Sequence, residues 1–215
     1  MLNHQEFDLW ADGYDQSVGL SDEENTYPFA GYRKVLGGIF QTIMAHPRAA
    51  VLDIGFGTGT LPAKLYQGGC AIYGQDFSPK MIELARAKMP KAHLYAGDFS
   101  KGLVEPLRNL RYDYIIATYS LHHLTDAQKC AFLRALRGCL KADGQILIGD
   151  VMFQTRAELD TCKRDAGEEW DDDEIYFVAD EFAQAFPRLV FTPVSHCAGI
   201  LAFDRSALDS EIVYR

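Results

Sequence analysis

Residues 51–60 read VLDIGFGTGT, an apolar run that breaks into glycines at alternate positions. The spacing Gly55-x-Gly57-x-Gly59 is G-x-G-x-G. A dinucleotide fingerprint needs G-x-G-x-x-G, whose third glycine lets backbone close on a pyrophosphate. Thr60 occupies that place here. The loop is either a phosphate cradle with a side chain in the way, or a loop for a ligand that carries no phosphate.

Outward from this loop, the chain alternates strand and helix signals to near residue 186. The runs AAVLDIG, CAIYGQD, AHLYAGD, YDYIIATYS and QILIGDVMF are short and apolar, and each ends near an acid, glycine or serine. Such runs fit strands buried on both faces of a parallel sheet. Between them lie the helix signals TLPAKLYQ, SPKMIELARAKM with Ser78 as cap and Pro79 in the first turn, and TDAQKCAFLRALRGCL capped by Thr125 or Asp126. Upstream, Phe29, Tyr32, Val35, Leu36, Ile39, Phe40, Ile43 and Met44 step by threes and ones, a helix with one buried face. Near the end, RLVFTPVS and AGILAFDR are separated only by His196–Cys197, and so short a connection forces an antiparallel pair. The expected fold is a doubly wound α/β sheet, mostly parallel, with one reversed strand near the C-terminus.

At 215 residues the chain fits one compact domain, with residues 1–48 as an N-terminal helical cap region and 49–215 as the main domain. Apolar residues make up 48% and charged residues 24%, as in ordinary globular chains. No apolar run approaches the roughly 20 residues of a membrane helix. The opening MLNHQEFDLWADGYD is acidic and polar, unlike a secretory or transit segment, so the cytoplasm is the expected location. Twenty-one basic against thirty acidic residues give 21 − 30 = −9, which disfavours a nucleic-acid partner. The one basic stripe, Lys129, Arg134, Arg137 and Lys141, reads as a solvated helix face. The five cysteines form no C-x-x-C pair, so neither a disulfide framework nor a zinc site is expected.

In doubly wound sheets ligands lie off the carboxyl ends of the strands. Polar and aromatic residues gather at those ends: Asp53 and Gly55, Asp76, Asp98, Tyr119 with Ser120, and Asp150. Asp76, 21 residues after Gly55, suits a bidentate contact to the two hydroxyls of an adenosine ribose. Asp98 suits an adenine amino group, with Phe77 and Phe99 as apolar walls. VLDIGFGTG, then YGQDFSPKMIELA, YAGDFS, YDYIIATYSLHHL and LKADGQILIGD, resembles the motif series of the class I S-adenosylmethionine-dependent methyltransferases over roughly residues 49–152. The resemblance implies a Rossmann-like sheet of seven strands with one antiparallel. It implies S-adenosylmethionine as cofactor, transferred in line to a small-molecule acceptor, as in small-metabolite methyltransferases. It also implies that Asp53 and Gly55, Gly57 and Gly59 border the amino-acid end of the cofactor. Asp76 would hold the ribose, Asp98, Phe77 and Phe99 the adenine, and the carbonyl of Thr118 the region of the amino group. A sulfonium ligand has no phosphate, so the missing glycine is no defect.

Methyl transfer needs alignment, a wall tolerant of positive charge, and a base where the nucleophile is protonated. ATYSLHHLTD supplies candidates. His122 and His123 are adjacent, so one of them is expected to face the pocket, and His123 is the candidate base, with a packed histidine as the alternative. Adjacent histidines lack helical metal-ligand spacing, and no metal is expected. FDLWADGYDQSV resembles the segment with which small-molecule methyltransferases cover the cofactor, making Tyr14 a candidate contact to the methionine carboxylate or methyl, with Trp10 in the seam. EEWDDDE at 168–174 reads as a mobile exposed connection, with a lid as the alternative, and its acids as candidate selectors of a cationic acceptor. The asparagine-proline signature of amino-group methylators of DNA and protein is replaced by Thr118-Tyr119-Ser120-Leu121. The rival readings are a tRNA wobble-base methyltransferase, a non-catalytic cofactor-sensing protein and a nicotinamide oxidoreductase. Either a monomer or a homodimer is compatible with these features.

Overall fold

A computed structural model describes residues 25–208. Eight strands form one sheet: β1 (Ala50–Ile54), β2 (Ala71–Asp76), β3 (His93–Ala96), β4 (Tyr112–Thr118), β5 (Leu140–Phe153), β6 (Phe177–Val178), β7 (Val190–Pro193) and β8 (Ala198–Asp204). The order along the main path is β3-β2-β1-β4-β5-β8-β7. Strands β1 to β5 pair in parallel. Strand β8 runs antiparallel to both β5 and β7. This is the expected Rossmann-like sheet with one reversed strand in a seven-strand path. The eighth strand, β6, pairs two residues with the end of β5, too short a run to leave a periodic signal in sequence.

Among the described residues seven α-helices accompany the strands: α1 (Tyr32–Met44), α2 (Thr60–Gln67), α3 (Pro79–Lys88), α4 (Glu105–Arg108), α5 (Asp126–Leu136), α6 (Arg156–Ala166) and α7 (Ala179–Ala185). Each central strand is apolar on both faces because helices cover both. In β1, Val51 faces the core shared with α1, α2 and α6, whereas Leu52 and Ile54 face the core shared with α5 and α7. In β4, Ile116 joins the first core and Ile115 and Ala117 the second. The period of two across a doubly covered sheet accounts for the unbroken apolar runs.

Helix starts follow local chemistry. Ser78 Oγ accepts from Met81 N at 3.2 Å. At α5 the cap is Thr125, whose hydroxyl accepts from the Gln128 amide while the Gln128 side chain accepts from the Thr125 amide, a capping box. The sequence order reverses between β1 and β4, and that switch point is where the carboxyl ends of the strands open a crevice.

Helix α1 belongs to the core. Val35, Ile39 and Ile43 are buried, and the helix lies so close to β5 that a Cβ on Gly149 would come within 2.4 Å of Val35 Cγ1 and 3.0 Å of Ile39 Cδ1. Both neighbours are stiff, β-branched and enclosed. Gly149→Ala should therefore lower unfolding stability by about 1–3 kcal/mol through overpacking. Denaturant unfolding checks this, and an unchanged midpoint would show that α1 yields freely.

Candidate active site

The glycine loop follows β1 with Gly55, Gly57 and Gly59 at φ +70°, +53° and +81°, values that side chains disfavour. Their reasons differ. A Cβ on Gly55 would meet Ser120 Cβ at 2.6 Å, because Ser120 Oγ donates to the Ile54 carbonyl at 2.9 Å and ties the ends of β4 and β1 together. A Cβ on Gly59 would press on Ala85 and Met89 of the adjoining helix region. A Cβ on Gly57 would meet nothing within 4 Å; it would project into open space. Asp76, at the end of β2, holds this loop: Oδ2 accepts from Gly57 N at 2.8 Å and Oδ1 from Ser78 N at 2.9 Å.

That open space is a cavity of about 550 Å³, within the range of small-molecule sites. Gly55, Gly57, Asp76, Phe77, Phe99, Thr118 and His123 line it, so the structure brings these candidates together. Asp53, Gly59 and Asp98 are not among the lining residues. Asp53 is fully buried in β1, and among the described residues neither carboxylate oxygen has a hydrogen-bond partner. Burial, with the neighbouring Asp76 charge, pushes its pKa well above the ordinary carboxylate value. Asp98 instead caps the short turn Phe99–Lys101, accepting from Ser100 N at 2.9 Å and pairing with Lys101 at 3.1 Å. Burial raises its pKa, but these bonds outweigh it and hold the group below its usual range. Tyr14 and Trp10 lie outside the described residues.

On the far wall, Tyr119 adopts φ +50° directly after β4, an uncommon conformation for a side-chain-bearing residue. Its ring packs on Tyr32 and Phe29 at 5.0 and 5.4 Å between centroids. The next turn, Leu121–His123, corrects one expectation: both histidines line the cavity. Their rings meet edge to face at 4.3 Å. His122 Nδ1 is bonded to Asp150 Oδ1 at 2.7 Å, and its Nε2 lies 3.3 Å from Glu174 Oε1. Burial opposes charge on His122, yet Asp150 and then Glu174 outweigh it and raise its pKa. His123 goes the other way, lowered to about 4 by burial and by the adjacent His122 charge.

Glu174 belongs to the acidic run read from sequence as a mobile exposed connection; Glu168, Glu169 and Asp171–Asp173 are exposed as expected, whereas Trp170 and Glu174 are half-buried, which corrects the reading at those two positions. Tyr176 Oη donates to Glu174 Oε2 at 2.6 Å and is hydrogen-bonded to Tyr27 Oη. Tyr27 Oη also accepts from Asp171 N at 3.2 Å, and the Trp170 ring stacks on Tyr27 at 5.0 Å. The run is anchored from both ends, and Glu169, Asp171 and Glu174 line the cavity. Burial raises the pKa of Glu174 and lifts that of Tyr27 to about 12. Lys129 is a third correction: its side chain is fully buried, not on a solvated face. It donates to Asp126 Oδ1 at 3.0 Å and to the Ile175 carbonyl, over the Phe177 ring at 4.4 Å. Donor atoms of His122, His123 and Glu174 converge to within 4.8 Å of one another, a grouping that the spacing of adjacent histidines does not reveal.

His123 sets a pH dependence. Its pKa is about 4 in the folded chain against an ordinary 6.5, so as pH falls the unfolded chain takes up the proton first and stability drops through that window. His123→Gln removes the penalty. Relative to wild type it should gain about 2 kcal/mol near pH 5 and nothing near pH 8. Denaturant melts at both pH values read this, and a pH-independent gap would mean that His123 is not held neutral.

A family model described as a methyltransferase domain matches residues 51–144. An uncharacterised methyltransferase of Geobacillus sp. (strain WCH70) is 36% identical over 163 residues, spanning 75% of this chain and 73% of its own. Two solved structures share the fold. Magnesium protoporphyrin IX methyltransferase from Synechocystis PCC 6803, with bound SAH, is 19% identical with a TM-score of 0.65, over 82% of this chain and 84% of that one. The DhpI–SAH complex is 16% identical with a TM-score of 0.67, over 93% of each chain. With the glycine loop, the acid at the end of β2 and the single reversed strand, these place the chain: it belongs to the class I S-adenosylmethionine-dependent methyltransferases.

Proposed function

We propose that the protein methylates a small molecule seated in the cavity, with the glycine loop and Asp76 on the donor side and the histidine turn on the acceptor side. The observation that carries this reading is that loop, Asp76 and histidines all open on one enclosed cavity. When bound, S-adenosylmethionine supplies an electrophilic methyl group on a sulfonium.

The residues present fit that ligand. Asp76 lines the cavity at the end of β2, and a carboxylate with its several lone-pair sites suits a ribose diol. The space that a Cβ on Gly57 would fill lets a ligand reach the loop backbone. Phe77 and Phe99 offer apolar faces for a base; Asp98 precedes Phe99 in the chain but does not line the cavity. Thr118 brings a carbonyl to the floor. Asp53, buried two residues before the loop, lies under the donor side, where burial and the Asp76 charge favour its neutral form. Tyr14 is proposed to close the donor side, as its family likeness implies. No loop residue needs to answer a phosphate, which resolves the G-x-G-x-G spacing.

On the acceptor side, His122 is fixed between Asp150 and Glu174, while His123 stays neutral at working pH and keeps its role as candidate base. Alignment of the reacting groups in such a cavity is worth several kcal/mol, about 7–11 in well-oriented systems. Among the described residues no helix is long and apolar enough to cross a membrane.

Calorimetric titration with S-adenosylmethionine, S-adenosylhomocysteine and NAD tests the reading. The first two should bind, NAD should not, and Asp76→Ala should weaken binding more than about tenfold by losing charge-assisted bonds and unpinning the loop. His123→Ala should keep cofactor affinity and lose turnover. Binding of NAD alone, or equal affinity in Asp76→Ala, would remove the donor-site assignment.

A further inference from the structure

We propose that the methyl acceptor is a cation, a small amine or other positively charged organic molecule; the inference rests on the reading of the cavity above and specifies its substrate.

The charges lining the cavity are one-sided. Asp76, Glu169, Asp171 and Glu174 line it, and among the described residues no lysine or arginine does. Asp76 is engaged by the glycine loop. The other three come from one segment at the opposite end, around Tyr27 and the histidine turn: Asp171 through its amide bond to Tyr27, and Glu174 through His122 and Tyr176. His122 does not balance them. Even fully protonated it offers one positive charge against Asp150 and Glu174, the carboxylates within bonding distance of its two nitrogens. Asp150 is completely buried, and among the described residues its Oδ2 has no hydrogen-bond partner. The acceptor end thus holds a surplus of negative charge in a partly enclosed space, where unit charges interact more strongly than in water.

The walls have a second, independent character. Tyr27, Phe29, Tyr32 and Tyr119 line the same cavity, Tyr27 in contact with the acidic segment itself, and aromatic faces attract ammonium and other cations. Among the described residues a carboxylate or phosphate acceptor would find no lysine or arginine, and the one imidazole that gains charge is already held by two carboxylates; like-charge juxtaposition is the device by which sites reject partners. Outside the described residues, 1–24 contain seven acids and no lysine or arginine, and 209–215 two acids and one arginine. The donor adds its own sulfonium charge, so a cationic acceptor and donor together call for more than one carboxylate, which the cavity has.

The test uses the protein loaded with S-adenosylhomocysteine, in low-salt buffer with a chelator, titrated with three matched probes: phenethylamine, 3-phenylpropanamide and 3-phenylpropionate. Phenethylamine should bind at least about tenfold tighter than the neutral amide, with the carboxylate weakest. The preference should shrink at high salt. It should also collapse in Glu169→Gln/Asp171→Asn/Glu174→Gln with S-adenosylhomocysteine affinity unchanged. Glu169 and Asp171 are exposed, so the double variant Glu169→Gln/Asp171→Asn preserves the test should the triple variant fail to fold. Equal affinity for amine and amide, a preference for the carboxylate, no binding by any probe, or an amine preference that survives in the variants would each overturn the proposal. Failure of S-adenosylhomocysteine itself to bind would instead strike the donor-site reading.

Discussion

Asp76 is the point through which the donor side of the site is built. One carboxylate at the end of β2 accepts the amide of Gly57, in the loop after the neighbouring β1, and the amide of Ser78 at the start of the next helix. Three elements whose positions are otherwise independent are thereby fixed to about the precision of a hydrogen bond. The loop could not adopt three positive-φ glycines in succession without such a constraint, because glycine loses the most conformational freedom on ordering. Ser120 completes the fixture from β4 by bonding the last carbonyl of β1. The floor of the cavity is therefore rigid before any ligand arrives, and binding need not order it.

The opposite wall depends on a different kind of constraint, a buried polar chain running from Asp150 through His122, Glu174 and Tyr176 to Tyr27 and the Asp171 amide. Its members come from the segment before α1, the turn after β4, the end of β5 and the acidic run. Buried polar groups hold position only when partnered, so the chain converts four irregular segments into one wall. Lys129 reinforces it from below through the Ile175 carbonyl, and Ile175 N in turn donates to the His122 carbonyl at 2.8 Å. An irregular segment of this kind has no repeating hydrogen bonds to stabilise it; the polar chain supplies the order that a helix or strand would otherwise provide.

Which parts were legible in the sequence follows from how local their causes are. The parallel strands, their order of appearance, the reversed β8 and the caps at Ser78 and Thr125 each rest on contiguous residues. That Gly55, Gly57, Asp76, Phe77, Phe99 and Thr118 gather at one cavity was legible because strand ends in a doubly wound sheet converge on one place. The acceptor wall was not. Glu174 meets His122 across 52 positions, and Tyr27 meets Tyr176 across 149, and no periodicity marks either pairing. Lys129 was misread for the same reason: on α5 alone it sits with charged neighbours, and only the distant Ile175–Phe177 segment buries it. Asp98 shows the converse, a strand-end acid whose nearest bonds are made within its own turn.

The adjacent histidines show how one turn can present two electrostatically different groups. Two imidazoles with centroids 4.3 Å apart cannot both gain protons cheaply. Asp150 and Glu174 both face His122, so the proton belongs there, and the resulting charge acts with burial to keep His123 neutral. The assignment is made by residues outside the turn, not by the pair itself. A charge fixed in this way does not move when a ligand enters, and preorganised charge of that sort avoids reorganisation at the moment of reaction. The same logic explains why the carboxylates outnumber the imidazole they hold: one is needed to fix the ring, and the surplus is left facing the cavity, where it acts on whatever enters.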